Sequence, residues 1–294
     1  MATDLSSLNT TASEETLAGL DELDTPTGPS RSGPRLQRVW AQMWPRLGAM
    51  ILALALWQVV VLSGWRPPYV LPPPRVVASA LGDLLGDPTF YRALVVTLSR
   101  AVTGFALAAV IGGVIGCAVA QSTILRRAVG SLITGLQTMP SIAWFPLAIL
   151  LFQLSEGAIT FVVVLGAAPS IANGIIGGVD TVPPVVRNAA QVLGARGLAL
   201  LRSVIIPAAM PSIVAGLKQG WAFAWRSLVA GELLVILADR PSLGARLDFA
   251  RQFSDAPGVL AMMIVFLAIG LMVDSAFNRV DRVVRHRRGL IPAR

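Results

Sequence analysis

The stretch RNAAQVLGARGLALLRSVIIPAAMP (187–211) decides the fold, because it places a charged helix–glycine–helix pattern between two long apolar segments. Apolar residues recur at helical spacing up to Gly194, and a glycine that tolerates positive φ is a common helix stop. A second short helix is predicted over 197–206, and Pro207 marks the entry to the next apolar segment. The loop is therefore predicted to hold a helix–turn–helix.

The start of the first short helix is marked just before this stretch. Asp180 and Thr181 are good N-cap residues, and a proline pair, Pro183 and Pro184, suits a first helical turn. These residues predict that the helix begins directly after the preceding apolar segment.

Composition identifies the class of protein. Of the 294 residues, 54% are hydrophobic and only 14% are charged, where a soluble domain has about 25% charged residues. The apolar residues form long blocks, which indicates a polytopic membrane protein. The net charge of +8 does not indicate nucleic-acid binding, because the arginines cluster at the ends of the apolar blocks. A single cysteine, Cys117, excludes an internal disulfide and a cysteine-built metal site.

Six apolar segments are candidates for crossing a bilayer, whose core takes about 20 residues of helix. They cover approximately residues 47–64, 93–120, 131–152, 158–179, 208–237 and 259–277. Within the second, the small-residue run GFALAAVIGGVIG (104–116) predicts close helix packing. The predicted fold class is an all-α membrane protein with about six transmembrane helices.

Arginines in short connecting segments predict the orientation. With six spans, four arginine-bearing segments fall on one side, which is then the cytoplasm, and both termini are cytoplasmic. The arginines of these segments are Arg31, Arg35, Arg38 and Arg46; Arg126 and Arg127; Arg187, Arg196 and Arg202; and Arg279, Arg282, Arg285, Arg287 and Arg288.

The predicted domain organisation follows from these segments. Residues 1–30 carry six acidic and no basic residues and too few apolar ones to order themselves, so they are predicted to be a disordered cytoplasmic tail. A basic juxtamembrane segment covers 31–46, the six-helix domain covers 47–280 with its special loop at 180–207, and a basic tail covers 281–294.

The loop resembles the cytoplasmic signature of ABC-importer permeases, which is written EAA, three residues, Gly, nine residues, then I-x-L-P. The spacing is intact, with Asn188 in place of the first acidic residue. In that family the element is the coupling helix, which inserts into a groove on the ATPase subunit. The resemblance assigns ATPase coupling to Arg187, Asn188, Ala189, Ala190, Gly194, Ala195, Val204, Ile206 and Pro207.

Further stretches are similar to the nitrate, sulfonate and taurine branch of these permeases. LPPPRVVASAL (71–81) resembles an extracytoplasmic segment of that branch, MPSIAWFPLAILLF (139–152) its third span, and GLKQGWAFAWRSLVAGELL (216–234) its fifth span. The resemblance covers roughly residue 40 to the C-terminus and implies a small, anionic solute such as a sulfonate, taurine, nitrate or bicarbonate.

The resemblance also implies partners. A type I importer combines two permease subunits, here most simply a homodimer, with an ATPase dimer and an extracytoplasmic solute-binding protein in a bacterial inner membrane. The chain has no GxxxxGK[ST] phosphate loop, and its single lysine is Lys218. We therefore expect ATP and Mg on the partner ATPase, no catalytic residue, and no cofactor or metal on this chain.

Prolines within the spans are candidates for the translocation path. Proline frees backbone groups that must be satisfied by protein or by a water-filled path. Pro140, Pro146 and Pro169 are such residues, and a packing kink is the equally weighted alternative.

Charges within the spans are the other candidates. A charge in the bilayer costs about 2.5–3.5 kcal/mol, so it faces a cavity or a partner. We predict that Arg226 helps to pass an anion and that Glu232 also faces the path, with an ion pair to another helix as the alternative. Arg100, early in the second apolar segment, is expected to be an interfacial anchor.

Two other classes of function compete with the ATP-driven permease. An ATP-independent channel or ion-coupled carrier would work without an ATPase, and it gives no reason for the helix–glycine–helix spacing. A membrane enzyme would need a nucleophile, a His–carboxylate pair or a metal-ligand cluster, and the sequence shows none of these motifs.

Overall fold

The computed structural model describes residues 35–287, and these residues form helices and no strand. The chain divides into two units, Met1–Val59 and Val60–Arg294. The predicted tail at 1–30 and the last residues of the basic tail, from 288 on, lie outside the described residues. The first unit contributes most of helix α1 (Arg35–Leu62), whose apolar part, Leu47–Leu62, is shorter than the other candidate spans.

The second unit contains the remaining helices. In chain order they are α2 (Pro74–Gly86), α3 (Pro88–Gln121), α4 (Thr123–Thr138), a 3₁₀ turn (Ser141–Trp144), α5 (Phe145–Phe152), α6 (Glu156–Asp180), α7 (Pro184–Val192), α8 (Gly197–Leu200), a π-helical turn (Leu201–Ile205), α9 (Ile206–Leu234), α10 (Leu243–Gln252) and α11 (Ala256–Arg287). Four segments are long and apolar enough to cross a membrane: Pro88–Gln121, Glu156–Asp180, Leu201–Leu234 and Ala256–His286.

Helix α6 is the centre of the bundle. Of its most apolar window 56% is buried, against 28% for each of the other three long spans. Glycines of α3 allow the closest approach: a Cβ at Gly112 would lie 2.5 Å from the carbonyl oxygen of Ala168, and one at Gly116 would lie 3.0 Å from the Cα of Ala172. The close packing predicted for the small-residue run is confirmed.

Helix α9 packs against α6 in the same way, in the opposite direction. Gly174 and Gly216 face each other so closely that a Cβ on Gly174 would lie 2.5 Å from the Cα of Gly216. Farther along, Gly231 of α9 faces Ile159, near the beginning of α6. Two helices can approach to this distance only where neither backbone carries a side chain at the contact.

These contacts fix the direction of the chain. Since α3 and α6 run parallel, the residues between them must return across the bundle. They do so as a bent pair, with Thr123–Thr138 and Ser141–Phe152 meeting at 104°. The apolar segment predicted over 131–152 is therefore not one straight helix, because the chain breaks at Met139 and Pro140, where both residues have extended backbone angles.

The bundle has two ends that matter for function. The end that holds α7, called the α7 end, also holds the α3–α4 connection and the last turns of α11. The opposite end, called the α10 end, holds α10 between α9 and α11. Arg126, Arg196 and Arg202 all lie at the α7 end, so two arginine-bearing segments share one end of the bundle.

Candidate functional site

Helix α7 forms where the sequence predicts it, and the paired prolines do start it. Its N-cap is Pro183, which has no side-chain cap, so the predicted caps are wrong. Asp180 instead ends α6 and accepts a hydrogen bond from Arg126 at 2.7 Å, and the Thr181 hydroxyl donates to a carbonyl of the last turn of α6 at 2.9 Å. Both side chains complete α6, which leaves them unavailable to α7.

The C-terminal end of α7 is a glycine stop. Gly194 has φ of +89°, and its N–H donates to the Gln191 carbonyl at 3.0 Å. The N–H of Ala195 donates to the Ala190 carbonyl at 2.9 Å, so the two bonds form a Schellman motif. The predicted stop at Gly194 is confirmed, and it gives α7 a fixed end.

The surface of α7 is apolar at its tip. Ala190 is 8% exposed and joins the core, whereas Asn188 and Ala189 are exposed. Val192 and Leu193, called the apolar tip, are each 88% exposed. Two large, exposed apolar side chains on a helix with a capped C-terminus are typical of a contact surface.

Arg187 connects α7 to the end of α6. Its side chain is partly buried, and Nη2 donates to the carbonyl of Val179 at 3.5 Å. A cation at this place is favourable because the C-terminal end of a helix carries partial negative charge. The contact holds α7 against the bundle.

The second short helix predicted over 197–206 is helical as predicted, but it continues into α9 without a break. α8 has four residues, and the π-helical turn joins it directly to α9. Leu201 and Ile205 are buried in the core. Their burial favours a helix that continues along the bundle over one that turns away from it. Val204, Ile206 and Pro207 are partly buried, and Pro207 lies in the first turn of α9.

The prolines predicted for a translocation path are in three different environments. Pro140 is exposed between α4 and the 3₁₀ turn, and Pro146 is exposed in the first turn of α5. Pro169 is inside α6 and buried. The first two belong to the break in the bent pair. Their assignment to a path stays a prediction.

Arg226 is exposed on α9. Its Nε donates to the Ala222 carbonyl at 3.1 Å, and its guanidinium lies 5.0 Å from the centroid of the Phe223 ring. It is absent from every ion pair found among residues 35–287. Its predicted role toward an anion stays a prediction.

Glu232 is in a different position, 0% exposed at the α10 end of α9. Its carboxylate accepts from Arg100 Nη1 at 2.9 Å, from Thr97 Oγ1 at 2.9 Å and from the backbone N–H of Gly244 at 3.1 Å. Arg100 also donates to Glu156, through Nε at 2.9 Å and Nη2 at 2.6 Å. We call these five residues the Glu232 network.

The Glu232 network contains residues that sequence reasoning missed. Arg100 is 8% exposed and paired with two carboxylates, so its expected role as an interfacial anchor is wrong. The rule that a charge within a span needs a partner would have indicated pairing, but not which acid. Thr97 gave no signal at all, since a threonine in a span is ordinary.

The fold defines a class, a polytopic helical membrane protein. At one end of its bundle lies a short helix, α7, which is closed by a Schellman motif and carries the exposed apolar tip. The family described as the binding-protein-dependent transport system inner membrane component matches residues 108–286. The chain therefore belongs to this family, and it is a permease component of an ABC import system.

Several curated relatives agree with this assignment. A putative ABC transporter permease protein of Methanocaldococcus jannaschii is 30% identical over 78% of this chain and 86% of the relative. The taurine transport system permease protein TauC of Escherichia coli is 29% identical over 80% of this chain and 86% of its own length. The riboflavin transport system permease protein RibX of Chloroflexus aurantiacus is 30% identical over 87% and 95%.

A solved structure supports the fold. The chain is similar to a chain of the MetNI methionine ABC transporter in an inward-facing conformation, with a TM-score of 0.57 and 20% identity. The match covers 66% of this chain and 95% of the solved one. At this identity the likeness shows the fold alone.

Proposed function

We propose that this chain forms the translocation path for a small, anionic solute and that a separate ATPase dimer drives it through α7. The observation that carries the proposal is the apolar tip, Val192 and Leu193, at 88% exposure on a helix with a fixed end. A groove on an ATPase subunit would bury these side chains. The ATPase would bind ATP and Mg, and this chain would bind neither.

The remaining partners follow from the same proposal. The arginines at the α7 end favour a cytoplasmic position for that end, and we propose that both termini lie on the same side. A solute-binding protein then delivers the solute to the α10 end. A second copy of the chain, or a related permease, completes the path, and α7 moves with the ATPases as they close.

The solute class rests on relatives and on one residue. Relatives include permeases named for taurine, for aliphatic sulfonates and for nitrate, and one named for riboflavin. Nitrate and aliphatic sulfonates are anions, and taurine is a zwitterion that carries a sulfonate group. Arg226, exposed on α9, supplies a cation that can accept an anion from water. We propose a sulfonate or nitrate-like anion.

The docking proposal is tested by co-purification. The tagged chain is isolated from native membranes, and the co-eluting ATPase and its ATP hydrolysis are measured for wild type and for Leu193→Asp. The matched control is Ser203→Asp, since Ser203 is exposed near α7 but outside the apolar tip. We expect the ATPase to be lost with Leu193→Asp and retained with Ser203→Asp.

Two results would contradict the docking proposal. One is full recovery of an active ATPase with Leu193→Asp. The other is isolation of the wild-type chain alone, with solute flux across liposomes in the absence of ATP, which would make it a channel or carrier.

The solute proposal is tested by uptake. Cells with and without the chain are given labelled taurine, ethanesulfonate, nitrate or riboflavin, and the solute whose uptake depends on the chain is then followed with Arg226→Gln. We expect an anion, and a loss of about tenfold or more, the effect of removing a hydrogen bond to a charged group. Wild-type uptake by Arg226→Gln at normal expression would refute the role of Arg226.

A further inference from the structure

The Glu232 carboxylate joins three separate elements at one point. Glu232 belongs to α9, its donors Arg100 and Thr97 belong to α3, and the N–H of Gly244 belongs to the first turn of α10. Thr97 is itself bound from α10, because its hydroxyl accepts from the N–H of Leu243 at 3.0 Å. The carboxylate therefore determines where α10 begins relative to α9.

The contact between α9 and α10 at this point is also tight. A Cβ at Gly244 would lie 2.3 Å from the Cβ of Glu232, so α10 rests directly on this residue. With Glu232 at 0% exposure and Leu243 at 0%, water has no access to replace these hydrogen bonds. The α10 end of α9 cannot shift relative to α10 without breaking several of them together.

The other end of α9 leads to α7. Leu201–Leu234 is a single helical segment of 34 residues, about 50 Å long at 1.5 Å per residue. The π-helical turn at its beginning follows α8, which is three residues after Gly194. A displacement at α7 therefore enters one end of a rod whose other end is held by Glu232.

We infer that Glu232 is a positioning residue for transport: it fastens α9 to α3 and α10, so that movement of α7 shifts α10 instead of being lost as α9 slides along α6. The inference rests on the proposed function, in which an ATPase moves α7. The glycine-lined contact of α9 with α6 has no side chains at Gly174 and Gly216 that would resist such sliding. The network supplies that resistance.

A second ion pair on α9 provides a matched control. Lys218 Nζ lies 2.9 Å from Asp274 of α11, with side-chain exposures of 37% and 50%. This pair is more exposed than the pair of Arg100 with Glu232, and an exposed pair contributes less to stability than a buried one loses when it is broken. Breaking it should leave transmission along α9 unchanged.

The experiment uses the native complex in nanodiscs, with Cys117→Ala in every protein so that one introduced thiol reports. Phe253→Cys reports on the end of α10, where the native side chain is 81% exposed. Ser203→Cys reports on the segment between α7 and α9, where the native side chain is exposed and lies outside the apolar tip. The rate of maleimide labelling is measured without nucleotide and after trapping with ATP and orthovanadate. Each reporter is combined with Glu232→Gln or Asp274→Asn.

We expect trapping to change the labelling rate of the Phe253→Cys thiol about fivefold or more, the size of an ordinary coupling between sites. Glu232→Gln should abolish this change, and Asp274→Asn should retain it. At the Ser203→Cys thiol the change should persist in both variants. A Phe253→Cys response that survives Glu232→Gln would overturn the inference.

The remaining outcomes separate this inference from the proposed function. If the Ser203→Cys thiol of the otherwise unaltered protein does not respond, the proposed function fails and the inference fails with it. If that thiol responds and the Phe253→Cys thiol does not, only the inference fails. If Glu232→Gln does not fold by gel filtration and thermal melting, Thr97→Val takes its place, since it removes one bridging hydroxyl and keeps every charge; an unchanged response there also overturns the inference.

Discussion

The two ends of α9 use opposite kinds of side chain. At the α10 end Glu232 is a charge with 0% exposure, and every contact it makes is inside the chain. At the α7 end, beyond the π-helical turn, Val192 and Leu193 are apolar and 88% exposed. The buried residue is polar and the exposed ones are apolar, the reverse of the ordinary preference.

This reversal distinguishes a completed contact from an incomplete one. A buried carboxylate is tolerated only when its hydrogen-bond donors are present in the same fold, so the Glu232 network at the α10 end is complete within the chain. Exposed apolar side chains gain by being covered, so the α7 end is built for a partner. The stability of the chain should therefore depend on the first end and its assembly on the second.

The largest expected loss of stability comes from breaking the Glu232 network. Arg100→Met would leave Glu232 buried without its cation, which we expect to cost about 3–5 kcal/mol of unfolding free energy. The measurement is reversible unfolding in mixed micelles with increasing dodecyl sulfate. Lys218→Met, which breaks the exposed pair with Asp274, should cost less than about 1 kcal/mol. Equal losses of unfolding free energy in Arg100→Met and Lys218→Met would show that the buried network stabilises the fold no more than the exposed ion pair does.

A smaller effect should come from the contact on which α9 lies. Gly216→Ala would put a Cβ 2.7 Å from the Cα of Gly174, so we expect a loss of about 1–3 kcal/mol from overpacking. Gly113→Ala is the matched control, since nothing lies within 4 Å of its Cβ, and we expect a gain of about 0.5–1 kcal/mol from helix preference. The same micelle titration compares them, and a neutral Gly216→Ala would show that the helices separate easily.

The smallest effect concerns a second link at the α10 end. The Thr89 side chain, with help from Arg246, lowers the pKa of Asp87 from 3.8 to about 2. Arg246 Nη2 lies 2.6 Å from the Asp87 carboxylate and so ties α10 to the start of α3. Because the pKa is lowered on folding, the ionised carboxylate stabilises the fold at higher pH and this contribution is lost as the pH falls.

The corresponding measurement compares wild type with Asp87→Asn across pH. The difference in unfolding midpoint should be constant above about pH 4 and should disappear as the pH approaches about 2. A difference that stays constant down to pH 2 would mean that the charge of Asp87 contributes nothing to the link.

The α7 region could be predicted from sequence because its determinants are local. A proline pair, helical spacing and Gly194 lie within a dozen residues, and each acts on the backbone beside it. The same reasoning went wrong at Asp180, whose side chain is taken by Arg126, 54 residues away. A cap is a local preference that a distant partner can override.

The Glu232 network could not be predicted, because its residues are distant from one another in the sequence. Arg100 and Glu232 are 132 residues apart, and the packing of α3, α6 and α9 alone brings them together. The sharp bend at Pro140 could not be predicted either, because hydropathy over 131–152 resembles one span, and Pro140 and Pro146 within it indicate a translocation path as readily as a packing kink. Periodicity gives the elements, whereas long-range pairing requires the assembled bundle.

The sequence separation between the residues of the Glu232 network also matters during synthesis of the chain. At about 5–20 residues per second of synthesis, Arg100 waits about 3–11 s for Glu156, which is 56 residues later, and about 7–26 s for Glu232. Until Glu156 is made, α3 carries a cation without either of its carboxylate partners, and a long arginine side chain can reach the membrane interface. The pairing of α3 is thus completed only when α9, which carries Glu232, has entered the bilayer.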